Sequence, residues 1–499
     1  YLEKRDIYEF AKDEVFREVY VLAHTQHLKN KDIYEGGSKM ITLLRPEEAA
    51  LGTAALYTAQ RAICRAFLSL ITYDGHGELK TSGIADRLGR REIIEIGPDE
   101  NMHDVMIEWM GEVAEKLGYT LKAGLISGKP DRGINHKEFG VTSFGVHQYL
   151  LRTLQELGID SASDEFSIKI SGGPFGDVAG NELKLLLTRK DGSWSYPGLK
   201  ITAITDGPAA LYDPEGIDRE ELLALVLKAN LDAFNPEKLQ GKGAYMVFSA
   251  SKEIDGVMKH RLVKKTGKGL EEEFIGRDEY MDLFQNNLYN YADVFIPCGG
   301  RPQTINAANW PKLCPDGKLA TKAIVEGANS FITPDARNKL QDAGIMIVKD
   351  ASANKCGVIT SSYEILSGLM LDEAEFAKEK KQLVKEVMEK LRNSARREAE
   401  WLFAQYKLGE YHLTDLTEQL SRQINAKNAE IAEYLQQHPE MLKNEIILAH
   451  LPSVLAEKYA DRLERIPFAY RIAIAAVELA ARIVYRRSGS LPEEINSVI

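Results

Sequence analysis

Five short runs rich in Ile and Val recur between about residues 146 and 350: FSIKI, LKITAIT, DVFIP, KAIVE and IMIVK. Each is four to seven residues long, bounded by Gly, Asp or Pro, and separated from the next by a helical stretch. Runs that are apolar throughout suit strands buried on both faces. Alternation with helices supplies the crossovers that parallel strands need. The pattern predicts an α/β fold with a doubly wound parallel sheet.

Around this core the chain changes character. Residues 1–145 read as mixed α/β. There VYVLAHT is a strand candidate, and RPEEAALGTAALYTAQRAICRAFLSLI reads as one long helix. MHDVMIEWMGEVAEKLG reads as a helix with Met102, Val105, Met106, Trp109, Met110 and Val113 on one face. Strands and helices alternate to about residue 355, and residues 356–499 read as a helical region. FAYRIAIAAVELAARIVY within it carries Arg471, Glu478 and Arg482, so it reads as an amphipathic core helix rather than a membrane span.

The net charge of −11 argues against a nucleic-acid partner, which would need a basic stripe. Four cysteines, Cys64, Cys298, Cys314 and Cys356, include no C-x-x-C pair. This scatter gives no zinc site and suits a reducing compartment, so a cytoplasmic location is expected, or a mitochondrial one in a eukaryote. The chain begins with Tyr1, which suggests a processed form or a piece of a longer polypeptide.

Chemistry is expected at three places. SGGPFGDVAGNELKLLL, 171–187, follows the first strand and opens a helix. A glycine turn there lets backbone N–H groups and the helix N-terminus receive a pyrophosphate. Its glycines do not fall at the G-x-G-x-x-G spacing, and a tight turn without ligand is the plain alternative. Asp206, thirty residues after Gly176 at the end of LKITAITD, is placed to accept both ribose hydroxyls. A carboxylate there repels a 2′-phosphate, which favours NAD over NADP. The second place is KNKDIYEGGSK, 29–39, where lysines surround a Gly-Gly pair. The third is EIGPDENMHD, with Asp99 just before an amphipathic helix. Taken singly, these read as a solvated loop and an N-cap. Together with a dinucleotide site, a lysine and an aspartate suit oxidative deamination of an amino acid.

These segments resemble the glutamate dehydrogenases, in particular the catalytic part of the large-subunit NAD-dependent class. LKNKDIYEGGSK resembles that class's K-N-K-D-I-P-E-G-G-S-K, and GGPFGDVAGNE its glycine loop. DGPAALYDPEGID, FIPCGGRPQTIN, AIVEGANSFITPDA and KDASANKCGVITSSYE follow in the same order, over about residues 22–366. The resemblance implies Lys39 as catalytic lysine and Asp99 as catalytic aspartate. It implies Thr142 and Asn329 beside the nicotinamide, with Asn354, Val358 and Ser361 against the substrate. A hydroxyl at Ser361 favours glutamate over leucine or phenylalanine, whose side chains want an apolar lining. Gly173, Gly176, Asp177, Val178 and Cys298 complete the implied cofactor set.

Departures matter as well. His27 stands where smaller members have a lysine for the α-carboxylate; Lys29, on the same face if the segment is extended, is the expected substitute. Tyr34 and Cys356 replace a common Pro and Gly. Pro174 and Ala179 replace the outer glycines of the family's turn. An arginine- and glycine-rich block that precedes the lysine in that class is missing, which again points to a longer parent polypeptide.

The expected activity is NAD-dependent deamination of L-glutamate to 2-oxoglutarate and ammonium. The resemblance also implies residues 1–145 as a substrate domain, 146–355 as a Rossmann-like NAD-binding domain and 356–499 as a helical region returning to the substrate domain. Domains closing over a cleft would expel water, and a homo-oligomer, tetramer or hexamer, is expected. The alternatives are another L-amino-acid dehydrogenase of the leucine or phenylalanine type, and a catalytically silent NAD- or amino-acid-sensing module. No metal and no membrane partner are expected.

Overall fold

The computed structural model describes residues 5–30, 39–87, 89, 91–99 and 101–487. The chain separates into two compact units. One holds the described residues up to Phe139 with Gly357–Lys390 and Ile424–Ile483. The other holds Gly140–Cys356, Leu391–Gln423 and the described residues from Val484.

The first unit opens with helix α1, Arg5–His27. VYVLAHT lies inside this helix and is not a strand. Its buried residues Leu22 and Thr25, continued by Leu28 just past its end, stand three apart, so the operative period is helical despite the β-branched content. The long helix expected from residue 45 is broken at Gly52, whose φ of 61° leaves a single turn before α2, Thr53–Ile71. Helix α3, Asp104–Leu117, buries Met106, Ile107, Met110, Gly111 and Ala114. Its apolar face is therefore turned from the one expected: Val105 is 58% exposed. Gly118, left-handed at φ 77°, closes it by donating to the Ala114 carbonyl. Extended pairing in this segment is limited, among the described residues, to isolated bridges such as the parallel one between Ile96 and Ile126.

The second unit begins with α4, Val141–Glu156, and is built on a sheet of nine strands among the described residues. In chain order these are β1 (Phe166–Ser171), β2 (Leu199–Thr205), β3 (Ala209–Tyr212), β4 (Tyr245–Ile254), β5 (Val257–Thr266), β6 (Gly269–Ile275), β7 (Val294–Pro297), β8 (Ala323–Val325) and β9 (Met346–Val348). Helices α5, Asp177–Leu186, and α6, Pro334–Asp342, lie between β1 and β2 and between β8 and β9. Sheet order is β9-β8-β7-β1-β2-β3-β4-β5-β6. The five strands from β9 to β2 run parallel. All five come from the five Ile/Val runs, and their apolar side chains are almost all buried, as a sheet covered on both faces requires.

From β3 to β6 the sheet continues antiparallel. This ribbon was not foreseen. Its strands carry Lys and Glu in short runs, such as Lys264-Lys265 and Glu271-Glu272-Glu273, and it turns at Asp255-Gly256, where both φ angles are positive. The chain moves from β1 to β2 on one side and later to β7 on the other. The sheet's topological switch point therefore lies between β1 and β7. Crevices at such points, beyond the carboxyl ends of the strands, are where open α/β sheets bind ligands.

After β9 the chain is helical: α7 (Cys356–Met370), α8 (Glu373–Tyr406), α9 (Leu413–Gln437) and α10 (Phe468–Arg487). Helices α8, α9 and α10 contribute residues to both units. No helix among the described residues is long and apolar enough to cross a membrane.

Candidate active site

At the carboxyl end of β1 the glycines are needed by geometry, not by a spacing rule. Gly172 takes a φ of 93°, and its Cα lies against the Gly299 backbone that follows β7. A Cβ on Gly173 would fall 2.2 Å from Asp206 Oδ2, and one on Gly180 would fall 2.4 Å from the Pro174 carbonyl. Gly176 is the N-cap of α5 and gives its first N–H groups no side-chain acceptor. The helix dipole behind that N-terminus favours an anion there. Asp177 is exposed in the first turn, and Val178 is half-buried beside it.

Asp206 follows β2 directly above this turn. Its Oδ1 accepts the Ala209 N–H at 2.9 Å and its Oδ2 the Leu231 N–H at 2.8 Å. Burial pushes the carboxyl above its ordinary value, and the two amides partly offset that. A carboxylate has about four acceptor positions, so two remain for hydroxyl donors.

Cys298 closes the crevice from β7. Its N–H donates to the Ser171 carbonyl at 2.9 Å, while the Ser171 hydroxyl donates to the Gly299 carbonyl at 2.7 Å. The buried thiol is pushed well above its usual value by desolvation and is inert. A Cβ on Gly327 would meet both Cys298 Sγ at 3.0 Å and Val178 Cγ1 at 3.3 Å, so the loops after β7 and β8 meet α5 closely. Ser143, next to Thr142 at the start of α4, donates to the Val178 carbonyl at 2.7 Å.

The loops after β8 and β9 carry an amide pair. Asn354 Nδ2 donates to Asn329 Oδ1 at 2.8 Å and to the Gly327 carbonyl at 3.1 Å. Asn354 Oδ1 is buried without a hydrogen-bond partner. An orphaned buried acceptor costs about 1–3 kcal/mol unless a donor reaches it. The helix N-terminus without a side-chain cap, the cradle that a Cβ would fill, the spare capacity of Asp206 and this orphaned acceptor together fit a dinucleotide.

The first unit holds a different set. Lys39 Nζ forms an ion pair with Asp99 Oδ2, with Lys39 only 17% exposed. On α7, Val358 and Ser361 stand three residues apart on one face. Ser361 Oγ accepts from Ser127 Oγ at 3.0 Å and lies 3.4 Å from His136 Nε2. One turn further along, the buried Glu364 accepts the N–H groups of Gly128 and Ile134, each at 2.9 Å, and pairs with Lys129 at 2.8 Å. Glu364 therefore fixes the segment that presents Ser127. Sequence reasoning passed over Ser127, Lys129, His136 and Glu364, because a pairing across more than 220 positions leaves no local signal.

Lys29 does not lie on an extended segment with His27. It is buried in the turn that closes α1, donating its backbone N–H to the Gln26 carbonyl. A helix through His27 removes the shared strand face on which its substitution for the α-carboxylate lysine rested. Lys31, Tyr34 and the Gly36-Gly37 pair lie outside the described residues.

Comparison with known proteins gives this arrangement its family. The family model described as Glutamate/Leucine/Phenylalanine/Valine dehydrogenase matches residues 133–413. A probable NAD-specific glutamate dehydrogenase of Schizosaccharomyces pombe is 34% identical over 95% of this chain and 41% of its own length. The NAD-specific glutamate dehydrogenase of Neurospora crassa is 32% identical over 98% of this chain and 45% of its own length. The chain thus spans less than half the length of these relatives. A hetero-hexameric glutamate dehydrogenase from Thermus thermophilus superposes with a TM-score of 0.49 at 15% identity, covering 80% of this chain and 75% of its own. On the match of its family model and its identity with curated relatives along nearly its whole length, the chain belongs to the Glutamate/Leucine/Phenylalanine/Valine dehydrogenase family.

Proposed function

We propose that the chain carries out NAD-linked oxidative deamination of L-glutamate: glutamate, NAD and water give 2-oxoglutarate, ammonium, NADH and a proton. The observation that carries this reading is the ion pair of Lys39 with Asp99, sixty residues apart in sequence, in a chain that also holds the glycine turn and Asp206. A cation paired with a carboxylate that is 59% exposed is an acid–base couple open to substrate and water.

Bound NAD supplies the hydride acceptor for the substrate Cα–H. Lys39 polarises the developing carbonyl and orients the water that attacks it. Asp99 moves protons to and from the amino nitrogen. Ser361, with Ser127 beside it, offers hydroxyls to the side-chain carboxylate, while Val358 shapes the wall. Asn354 and Lys29 remain proposed substrate contacts, Lys29 with the weaker support given its turn. The amides at the start of α5, Gly173, Gly176, Asp177 and Val178, hold the pyrophosphate. Asp206 accepts the ribose hydroxyls and so selects NAD. Thr142, Cys298 and Asn329 line the nicotinamide end.

The names of the curated relatives support glutamate and NAD, and we extend the reading to assembly as a homo-oligomer. The test is NADH formation with glutamate, leucine and phenylalanine as competing substrates, run on this chain and on a longer polypeptide that contains it. Faster turnover of leucine than of glutamate overturns the substrate. NADH binding without turnover of any amino acid in either form would leave a sensing module.

A further inference from the structure

The loop bearing Asn329 and the loop bearing Asn354 share one buried cation. Arg337, on α6, is 6% exposed. Its Nε and Nη2 donate to Glu326 Oε2 and Oε1 at 2.9 and 3.0 Å, a bidentate fork. The same Nη2 stands 3.7 Å from Asp350 Oδ1. Glu326 is the first residue after β8 and Asp350 the second after β9, and both are fully buried.

Asp350 in turn fixes backbone. Asp350 Oδ2 accepts the Ser330 N–H at 2.6 Å, and Ser330 sits at a φ of 53°, a left-handed conformation that a serine adopts only when held. The Asp350 carbonyl accepts the Asn354 N–H at 3.0 Å. One guanidinium thus anchors both ends of the frame across which Asn329 and Asn354 face each other.

The frame lies on the β7–β8 side of the switch point, whereas Asp206 lies on the β2 side. A dinucleotide crossing this crevice with its adenosine ribose at Asp206 and its pyrophosphate at α5 brings its other half to the loops after β7, β8 and β9. We propose that Arg337, through Glu326 and Asp350, is a positioning residue for the nicotinamide half of the cofactor. This inference rests on the dinucleotide reading given above. Arg337 touches no ligand; it sets where the Asn329–Asn354 pair stands.

The experiment compares NADH with ADP-ribose, which lacks the nicotinamide, by equilibrium binding to folded protein. Arg337→Met is expected to weaken NADH at least tenfold and to leave ADP-ribose within twofold. Arg337→Lys is expected not to rescue, because a point charge cannot make the fork. Removing one partner of a buried pair can prevent folding, so the double variant Glu326→Met/Arg337→Met, which leaves no uncompensated charge between these two, is measured alongside. Equal weakening of both ligands in the folded variants, or of neither, overturns the positioning role. Wild-type protein that binds neither ligand overturns the dinucleotide reading itself, and the inference with it.

Discussion

Lys39 and Asp99 show how far a single residue can be argued. Lys39→Ala and Asp99→Asn are each expected to cut turnover by at least a hundredfold, the range in which a positioned acid or base contributes, while NADH binding persists. Steady-state rates with NADH titrations check this, and unchanged rates would remove both from the chemistry. Lys169 is a residue the sequence did not flag. It sits mid-strand in β1 at 1% exposure, donating Nζ to the Asn290 and Ala320 carbonyls at 2.7 and 3.1 Å. Burial lowers its pKa from 10.5 to about 7. The unfolded chain then holds a proton that the folded chain has released between those values, so this residue's contribution to stability grows as pH rises from about 7 towards 10.5. Below pH 7 the folded state carries a penalty of roughly 5 kcal/mol for the charged form. Lys169→Met removes that pH dependence and orphans two carbonyls at every pH. The variant's deficit in Tm against wild type should therefore be largest near pH 9.5 and shrink towards pH 6.5. A deficit that stays constant between pH 6.5 and 9.5 would show the lysine to be charged in the fold throughout that range.

Among elements, the parallel strands were legible because burial on both faces writes itself as unbroken Ile and Val. Each of the five runs became a strand within one residue of its expected ends. The antiparallel ribbon β4–β6 was not legible, since half-exposed strands whose Lys and Glu fall in runs lose the alternation that marks a strand and resemble surface helices or loops. VYVLAHT failed for the opposite reason: local β preference was outweighed by a buried stripe at helical spacing. At the candidate site, the strand–turn–helix context pointed to the glycine turn and Asp206, whereas Lys39 and Asp99, plain when taken singly, were picked out by the family resemblance; their pairing is what the structure adds, and their roles are proposals. Ser127, Glu364 and the Arg337 frame exist only through long-range pairing. Helix α3 gives the measurable case. Its buried stripe runs through Met106, Met110 and Ala114 rather than through Val105. Met106→Ala should cost about 2–5 kcal/mol, and Val105→Ala within about 0.5 kcal/mol. Denaturant melts of the two variants read this directly; equal losses would place Val105 in the core.

For the molecule as a whole, the second unit is completed by the far end of the chain. Tyr485, on α10, packs its ring against Trp401 at 6.4 Å and under the Arg397 guanidinium at 5.2 Å. Its hydroxyl donates to Glu398 Oε2 at 3.4 Å, the oxygen that also pairs with Lys355. Lys355 and Glu398 are 8% and 4% exposed, an ion pair that keeps its worth only while water is excluded and the remaining acceptor positions are filled. Residues 355, 398 and 485 come from three separate stretches of sequence, so no window of the chain announces the cluster. Tyr485→Phe removes one hydrogen bond and should cost about 1 kcal/mol. Tyr485→Ala opens a cavity over the ion pair and should cost about 3–5 kcal/mol, the range for deleting a buried aromatic. Adding Lys355→Met and Glu398→Met to Tyr485→Ala should then recover part of the loss, because the enlarged site no longer leaves a charge pair at the edge of a void. Thermal melts of the three variants give the order; a triple variant no better than Tyr485→Ala would mean that the aromatic packing alone, not the shelter of the ion pair, is what the end of the chain supplies.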